Sequence, residues 1–360
     1  MEQFVCKTKI ISGHGCLSSL AELHINRMLI VSDPYFLDNG TANHIAHISG
    51  AAHVEVFAKV VPDPSVALAA EGTQLAQTFQ PDTILALGGG SAMDCAKAIA
   101  FFSGLSLRLI AVPTTSGSGS EVTDFAILTH DAVKHPLVDE KLRPDLAILD
   151  GDLLRSLPPK LIADTGFDLI SHSLEALVAT GASPISDALA ADSLSAAFAV
   201  LPKSYHGDTA ARLPVHIAAT MAGMAFSSAG LGLCHAISHA LGGEFHTPHG
   251  RLNAILLPAV LDINAEKALA QYAALSRRLG LSAGADAMAM RSLKNALLRL
   301  RRELGLPQTL SEAGIVPAQL RQKMESVVSA ALADPCCATN PVKPEAHHVR
   351  TVLHQVMGHG

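Results

Sequence analysis

The sequence predicts an α/β N-terminal half built on a mostly parallel sheet, followed by an all-helical C-terminal half. Three observations carry this. Short apolar runs alternate with helical patterns up to about residue 157, as successive βα units do. Beyond that point β-branched runs thin out, and Ala, Leu and Ser recur at helical spacing. The change of texture falls at Leu157-Pro158-Pro159, so the expected domains are residues 1–157 and 158–360. A chain of 360 residues suits two domains, each with its own core.

The elements follow in order. Residues 27–31 (RMLIV) read as a strand that ends in Ser-Asp-Pro. Residues 54–61 form a second β-like run, stopped by Pro-Asp-Pro, and residues 66–79 have helical spacing. The run at 82–87 is a strand leading into Gly88-Gly89-Gly90, with a helix expected over 91–102. Residues 107–112 are another strand, which opens into PTTSGSGS, and 146–149 a short further one. In the second half, helices are expected over 163–180, 186–201, 213–228 and 265–279.

Composition narrows the function classes. Lys and Arg total 26 against 32 Asp and Glu, a net charge of −6 with no basic cluster, which argues against nucleic acid as a partner. Tryptophan is absent and aromatics are 4%, so base-stacking platforms are not expected. The chain is apolar, with a mean hydropathy of +0.32. Its longest charge-free run, 213–243, contains a proline, five glycines and three histidines. That reads as a buried core segment, and no membrane association is expected. The start, MEQFVCKTKI, resembles no secretory signal, and the six cysteines show no CxxC pair. Reduced thiols and a cytoplasmic location are the expectation.

Two chemical constellations stand out. In the first half, the turn Gly88-Gly89-Gly90-Ser91 between a strand and a helix suits an anion, because glycines admit close approach and the helix start offers free amides. A bare GGGS also makes an ordinary tight turn. A second loop of small residues, PTTSGSGSE at 113–121, follows another strand. Together the two predict a crevice for a dinucleotide. Asp33 lies just past the first strand, where a carboxylate accepts from ribose hydroxyls and repels a 2′-phosphate, favouring NAD over NADP; alone it reads as a turn residue before Pro34. In the second half, Asp168 and His172 are four apart, as are His235 and His239, with His246 and His249 close behind. Each spacing puts both side chains on one helix face. A carboxylate and several imidazoles in an apolar setting suit a divalent metal, although any single histidine here fits equally well as a core residue bonded to a carbonyl.

The motifs GGGSAMDCAKA, PTTSGSGSEVT, PDLAILD, ADTGFDLISHSLEA, MAFSSAGLGLCHAISHALGG, FHTPHG and ATNP occur in this order over nearly the whole chain. In them the sequence resembles the iron-containing (group III) alcohol dehydrogenases, most closely the propanol- and ethanol-type enzymes. The resemblance implies a Rossmann-like N-terminal domain and a helical metal-binding domain, the dehydroquinate synthase-like architecture. It implies Asp168, His172, His235 and His249 as metal ligands, with Fe2+ first and Zn2+ as the alternative, and His239 as a proton relay. It implies cofactor contacts at Asp33, Asp63, Gly89, Gly90, Ser91, Thr114, Thr115, Thr123, Phe125, Lys134 and Leu153, and a substrate pocket lined by Phe226 and Cys336. The activity implied is interconversion of small aliphatic alcohols and aldehydes with NAD(H), in a homodimer serving an aldehyde-producing pathway. Packaging in a bacterial microcompartment is left open. Departures are Ser118 where Thr is usual, a short 130–134 segment that weakens the case for Lys134, Phe167 for the usual Met, and Arg251, whose charge would suit a polar substrate. Three rivals follow: a polyol dehydrogenase, a dehydroquinate-synthase-like lyase, for which the segments are too apolar, and a non-catalytic NAD- or metal-binding module.

Overall fold

The computed structural model describes residues 4–130 and 133–358. The chain divides into two compact units, Cys6–Leu157 and Pro158–Gly360, the second also taking in the start of the chain up to Val5.

The first unit contains β1 (Lys9–Gly13), β2 (Arg27–Ser32), α1 (Pro34–Asp38), α2 (Thr41–Ser49), β3 (His53–Phe57), α3 (Val66–Phe79), β4 (Thr83–Gly88), α4 (Gly90–Ser103), β5 (Arg108–Pro113), β6 (Phe125–His130), β7 (Val133–Val138) and β8 (Leu146–Asp150). Six strands form one sheet in the order β1-β8-β5-β4-β2-β3, and every pairing in it is parallel. Its inner strands are buried on both faces, as a sheet covered on two sides requires. The period of two sorts their side chains cleanly. Met28, Ile30, Leu85, Leu87, Ile110 and Val112 join one core, whereas Leu29, Val31, Ile84, Ala86, Leu109 and Ala111 join the other. Strands β6 and β7 form a separate antiparallel hairpin.

Two details depart from the sequence reading. The run expected over 54–61 is a strand only to Phe57, because its pairing with β2 ends at Val31↔Phe57. Strand β1 and the hairpin have no counterpart in the expected elements. Strand β1 is a half-exposed sheet edge with little apolar signal, and β7 carries Pro136.

Chain order fixes where a ligand is held. From β2 the chain steps outward to β3, then returns to place β4 on the other side of β2. The β2/β4 boundary is therefore the topological switch point, and a crevice opens at the carboxyl ends of these strands. The register aligns those ends, with Ser32 opposite Leu87 and Gly88 opposite Pro113. Asp33, Gly89 and Thr114 all follow at this edge.

The second unit is helical: α5 (Pro159–Val178), α6 (Pro184–Tyr205), α7 (Arg212–Ala229), α8 (Leu233–Phe245), α9 (His249–Arg278), α10 (Asp286–Glu303), α11 (Pro317–Ala333) and α12 (Ala346–Val356). Helix α6 is long and apolar enough to cross a membrane by composition, yet it packs along α5 and α7. The helix expected over 265–279 is the second half of α9, which runs from His249 through Pro258 and a non-helical Ala268. Pro258 has no amide to give Ala254. The buried Arg301 guanidinium fills that vacancy, donating to the Ala254 carbonyl at 3.0 Å. Helix α9 thereby carries a proline near its middle and still presents an ordered N-terminus.

Candidate active site

In the first unit, backbone builds the site. Gly88 adopts φ +149, and a Cβ there would lie 2.6 Å from the Cβ of Ala92. Only glycine lets the chain turn this tightly from β4 into α4. The Thr114 amide donates to the Gly88 carbonyl at 2.9 Å, which ties the second loop to the first. The first two amides of α4, those of Gly90 and Ser91, have no carbonyl to meet within the helix and carry the positive end of its dipole, whereas those of Ala92 and Met93 already donate to the Gly89 carbonyl. Beside them, Asp33 Oδ1 and Ser32 Oγ are buried with no hydrogen-bond partner among the described residues. Burial pushes the Asp33 carboxyl up, opposed by the amides of Tyr35 and Phe36. Orphaned polar atoms at a switch point are what a ribose would satisfy.

The remaining candidates of this unit spread along the second loop and the hairpin. Thr114 and Thr123 are buried, while Thr115 and Phe125 are partly open. The Thr123 hydroxyl and carbonyl both face the ammonium of Lys97, the lysine of the GGGSAMDCAKA motif, to which the sequence reading gives no role. Lys134 and Asp63 pair at 2.7 Å, with Asp63 at φ +55. Leu153 packs against the sheet core.

In the second unit, side chains build the site. Helix α5 presents Asp168, His172 and Glu175 on one face, α8 presents His235, Ser238 and His239, and α9 begins with His249. Gly250 admits the start of α9 to the α5 backbone, where a Cβ would lie 2.0 Å from the Asp164 carbonyl oxygen. Three imidazole Nε2 atoms then converge on one carboxylate oxygen. Asp168 Oδ1 lies 3.8 Å from His172, 3.8 Å from His235 and 3.4 Å from His249. Four donors about 2.1 Å from a common tetrahedral centre lie about 3.4 Å apart; Asp168, His172 and His235 have donor atoms all within 4.8 Å of one another, and His249 joins them through its 3.4 Å approach to Asp168.

Two of the imidazoles are held from behind at Nδ1. The buried Glu175 takes the His235 Nδ1 at 2.5 Å, and Ser238 Oγ bonds the His249 Nδ1 at 2.9 Å. Both leave Nε2 turned inward. Glu175 also accepts from the Gly232 and Cys234 amides, at 3.0 and 2.7 Å, which caps α8. Burial opposes charge on both members of the pair His235 and Asp168. It is outweighed: Glu175 and Asp168 lift His235 to about 9, and His172, His249 and His235 hold Asp168 far below the usual carboxylate range. Two buried carboxylates thus set a field that favours a cation among the imidazoles. Asn253 donates to Asp168 Oδ1 at 2.9 Å from the next turn of α9.

The other predicted residues border this cluster. Phe226 stacks on His172, with centroids 4.3 Å apart. His239 stacks on His249 but turns its Nδ1 to Asp334, at 2.8 Å. Asp334, Cys336 and His239 have donor atoms within 4.8 Å of one another. Burial opposes a charge on Asp334, yet the bond to His239 brings its carboxyl down to about 2, while burial pushes the Cys336 thiol well up. His246 stands apart, exposed at the C-cap of α8. The ATNP motif braces the start of α8, where Asn340 Oδ1 accepts from the Leu233 amide and from Asn264, each at 3.0 Å. Arg251 lies bidentate on Asp164, at 3.1 and 2.6 Å, so its charge is already matched. Glu175, Asn253 and Asp334 were not among the sequence candidates. Glu175 carried one usable signal, since it falls seven residues after Asp168 and so shares its helix face.

Comparison with known proteins is consistent across the chain. The family model described as iron-containing alcohol dehydrogenase matches residues 7–151, and that for the C-terminal part of the Fe-containing alcohol dehydrogenase family matches residues 162–357. The sequence is 37% identical to the 1-propanol dehydrogenase PduQ of Salmonella typhimurium, over 99% of this chain and 100% of that one. It is 38% identical to the bifunctional aldehyde-alcohol dehydrogenase AdhE of Escherichia coli, over 91% of this chain. The match spans 42% of that longer relative. Among solved structures, an iron-containing alcohol dehydrogenase from Thermococcus thioreducens superposes with a TM-score of 0.92 at 34% identity, covering 98% of this chain and 99% of that one.

Proposed function

Because the chain belongs to the iron-containing alcohol dehydrogenase family and is an oxidoreductase of that family, we propose that it interconverts small primary alcohols and aldehydes of the ethanol and propanol class with NAD(H), working chiefly as an aldehyde reductase. The observation that carries this reading is the convergence of three Nε2 atoms on Asp168 Oδ1. Asp168, His172, His235 and His249 would hold a divalent cation, Fe2+ by family and Zn2+ by equal suitability of the donors. Bound there, such a cation supplies Lewis acidity toward the alcohol or aldehyde oxygen.

The chain's own residues have separable tasks. Glu175 and Ser238 keep the ligand imidazoles in the required tautomer. His239, held by Asp334, moves the proton between the substrate oxygen and solvent. Phe226 and Cys336 flank the space for a short aliphatic chain. The amides from Gly89 to Ser91 receive the pyrophosphate, and Asp33 receives ribose hydroxyls while opposing a 2′-phosphate. Thr114, Thr115, Thr123 and Phe125 border the nicotinamide nucleotide, and the Lys134–Asp63 pair closes the hairpin side. Leu153, packed on the core, would support the site from beneath. The ion pair with Asp164 already matches the Arg251 charge that would suit a polar substrate. A dinucleotide-binding first unit, a catalytic second unit, a homodimer and a cytoplasmic location in an aldehyde-producing route complete the proposal, and the similarity to the propanol dehydrogenase supports it.

The test is the loss of NADH absorbance with acetaldehyde, propanal and butanal, using protein purified without oxygen. Turnover with NADH well above that with NADPH is expected. Binding of NADH with no consumption on any aldehyde would establish the non-catalytic alternative, and faster turnover of dihydroxyacetone would establish the polyol reading.

A further inference from the structure

Lys97 is the most deeply buried cation of the first unit, 1% exposed within α4. Its ammonium donates to Ser120 Oγ at 2.9 Å, the Thr123 carbonyl at 3.0 Å, Thr123 Oγ1 at 2.9 Å and the Phe125 carbonyl at 2.8 Å. The Phe125 ring centroid lies 5.7 Å away. None of these acceptors is a carboxylate. Ser120 passes the charge on, donating to Asp94 at 3.0 Å. A buried ammonium bound mainly by backbone and hydroxyl oxygens is costly unless it organises something. Here it gathers one stretch of loop, residues 120–125, which contains two of the residues that border the nicotinamide nucleotide under the proposed function.

We propose that Lys97 is a positioning residue for the nicotinamide end of the cofactor site. It clasps the 120–125 loop to α4, the same helix whose first amides receive the pyrophosphate, and so couples the geometry of the two ends of the cofactor. The proposal rests on the cofactor reading given above. It carries a pH signature. Burial lowers the Lys97 pKa to about 8, against the pull of Asp94 on its own helix, Glu121 and Asp124 from the loop, and with the push of Arg143. Lys134, on the hairpin, faces the same group through Asp94. When Lys97 loses its proton it keeps two donors for four acceptors, and the loop loosens. Cofactor affinity is therefore full below pH 8 and falls as the pH rises through it.

The experiment measures NADH dissociation constants by fluorescence titration of the metal-loaded enzyme from pH 6.5 to 9.5, for the wild type, Lys97→Met and Ser120→Ala. Lys97→Met should weaken NADH at pH 7 by about tenfold or more, the scale of losing charge-assisted hydrogen bonds. Its profile should be flat with pH and its metal content unchanged. Ser120→Ala removes one acceptor and should move the wild-type midpoint to lower pH. If the methionine variant does not fold, this shift alone decides. Equal NADH affinity in wild type and Lys97→Met, or a wild-type profile flat across pH 8, would overturn the role of Lys97 and leave the cofactor reading standing. A wild type that binds no NADH at pH 7 would overturn both.

Discussion

Under the proposed function the two units would hold a reactive group by opposite means. In the first, the contacts would come mainly from backbone: the Gly88 turn, the opening amides of α4 and a loop pinned by one buried ammonium. In the second, they would come from side chains of three helices, with His235 and His249 each held by a partner behind it. Backbone recognition depends on where the chain can pass, so it tolerates side-chain change but no added Cβ. Side-chain recognition depends on proton placement, so it tolerates small shifts of backbone but not the loss of Glu175. Cofactor and metal defects should therefore separate.

The largest separation is expected from Gly88→Val. A branched side chain at φ +149, with Ala92 already 2.6 Å from an ideal Cβ, forces the turn open. NADH affinity should fall by about a hundredfold or more, the scale of a few kcal/mol of backbone strain. Metal content measured by elemental analysis should stay at the wild-type level, and its loss would show that the two sites are not independent. On the other side, Glu175→Gln replaces the acceptor of the His235 Nδ1 proton with an amide. Metal affinity in competition with a chelator should drop about 10–100-fold, with NADH binding unchanged. Ser238→Ala removes a neutral partner of the partly exposed His249, so only a few-fold loss of metal affinity is expected. If Ser238→Ala proved worse than Glu175→Gln, the view of a buried carboxylate as the main anchor would be wrong.

The same contrast explains what could be read from the sequence. Asp168 with His172, and His235 with His239, were visible because helical periodicity converts a spacing of four into a shared face. GGGS and PTTSGSGSE were visible because small residues after strands have few other uses. What stayed hidden depended on long-range packing. Asp334 meets His239 across 95 residues, and no local pattern encodes that. His239 itself shares a face with His235, yet its Nδ1 faces Asp334, so spacing alone does not separate the environments of the two imidazoles. Lys97 lies three residues after Asp94 on α4 and Glu175 seven after Asp168 on α5, so each shares a helix face with another charge, and only the fold shows that both are buried among partners. The expected strand over 54–61 was too long because apolar character continues past the point where β2 stops offering hydrogen bonds. The proline in α9 hides that the helix runs through it, since the Ala254 carbonyl it leaves free is taken by Arg301, 47 residues further along the chain.

The claim on which the account stands is that Asp168, His172, His235 and His249 share one cation on which turnover depends. Elemental analysis and aldehyde reduction, measured together on oxygen-free wild type, chelated wild type and His249→Ala, test it most directly. The account predicts one divalent ion per chain and turnover in the wild type, with both lost on chelation or in the variant while NADH still binds. Full turnover by a chelated preparation with no residual metal would contradict it.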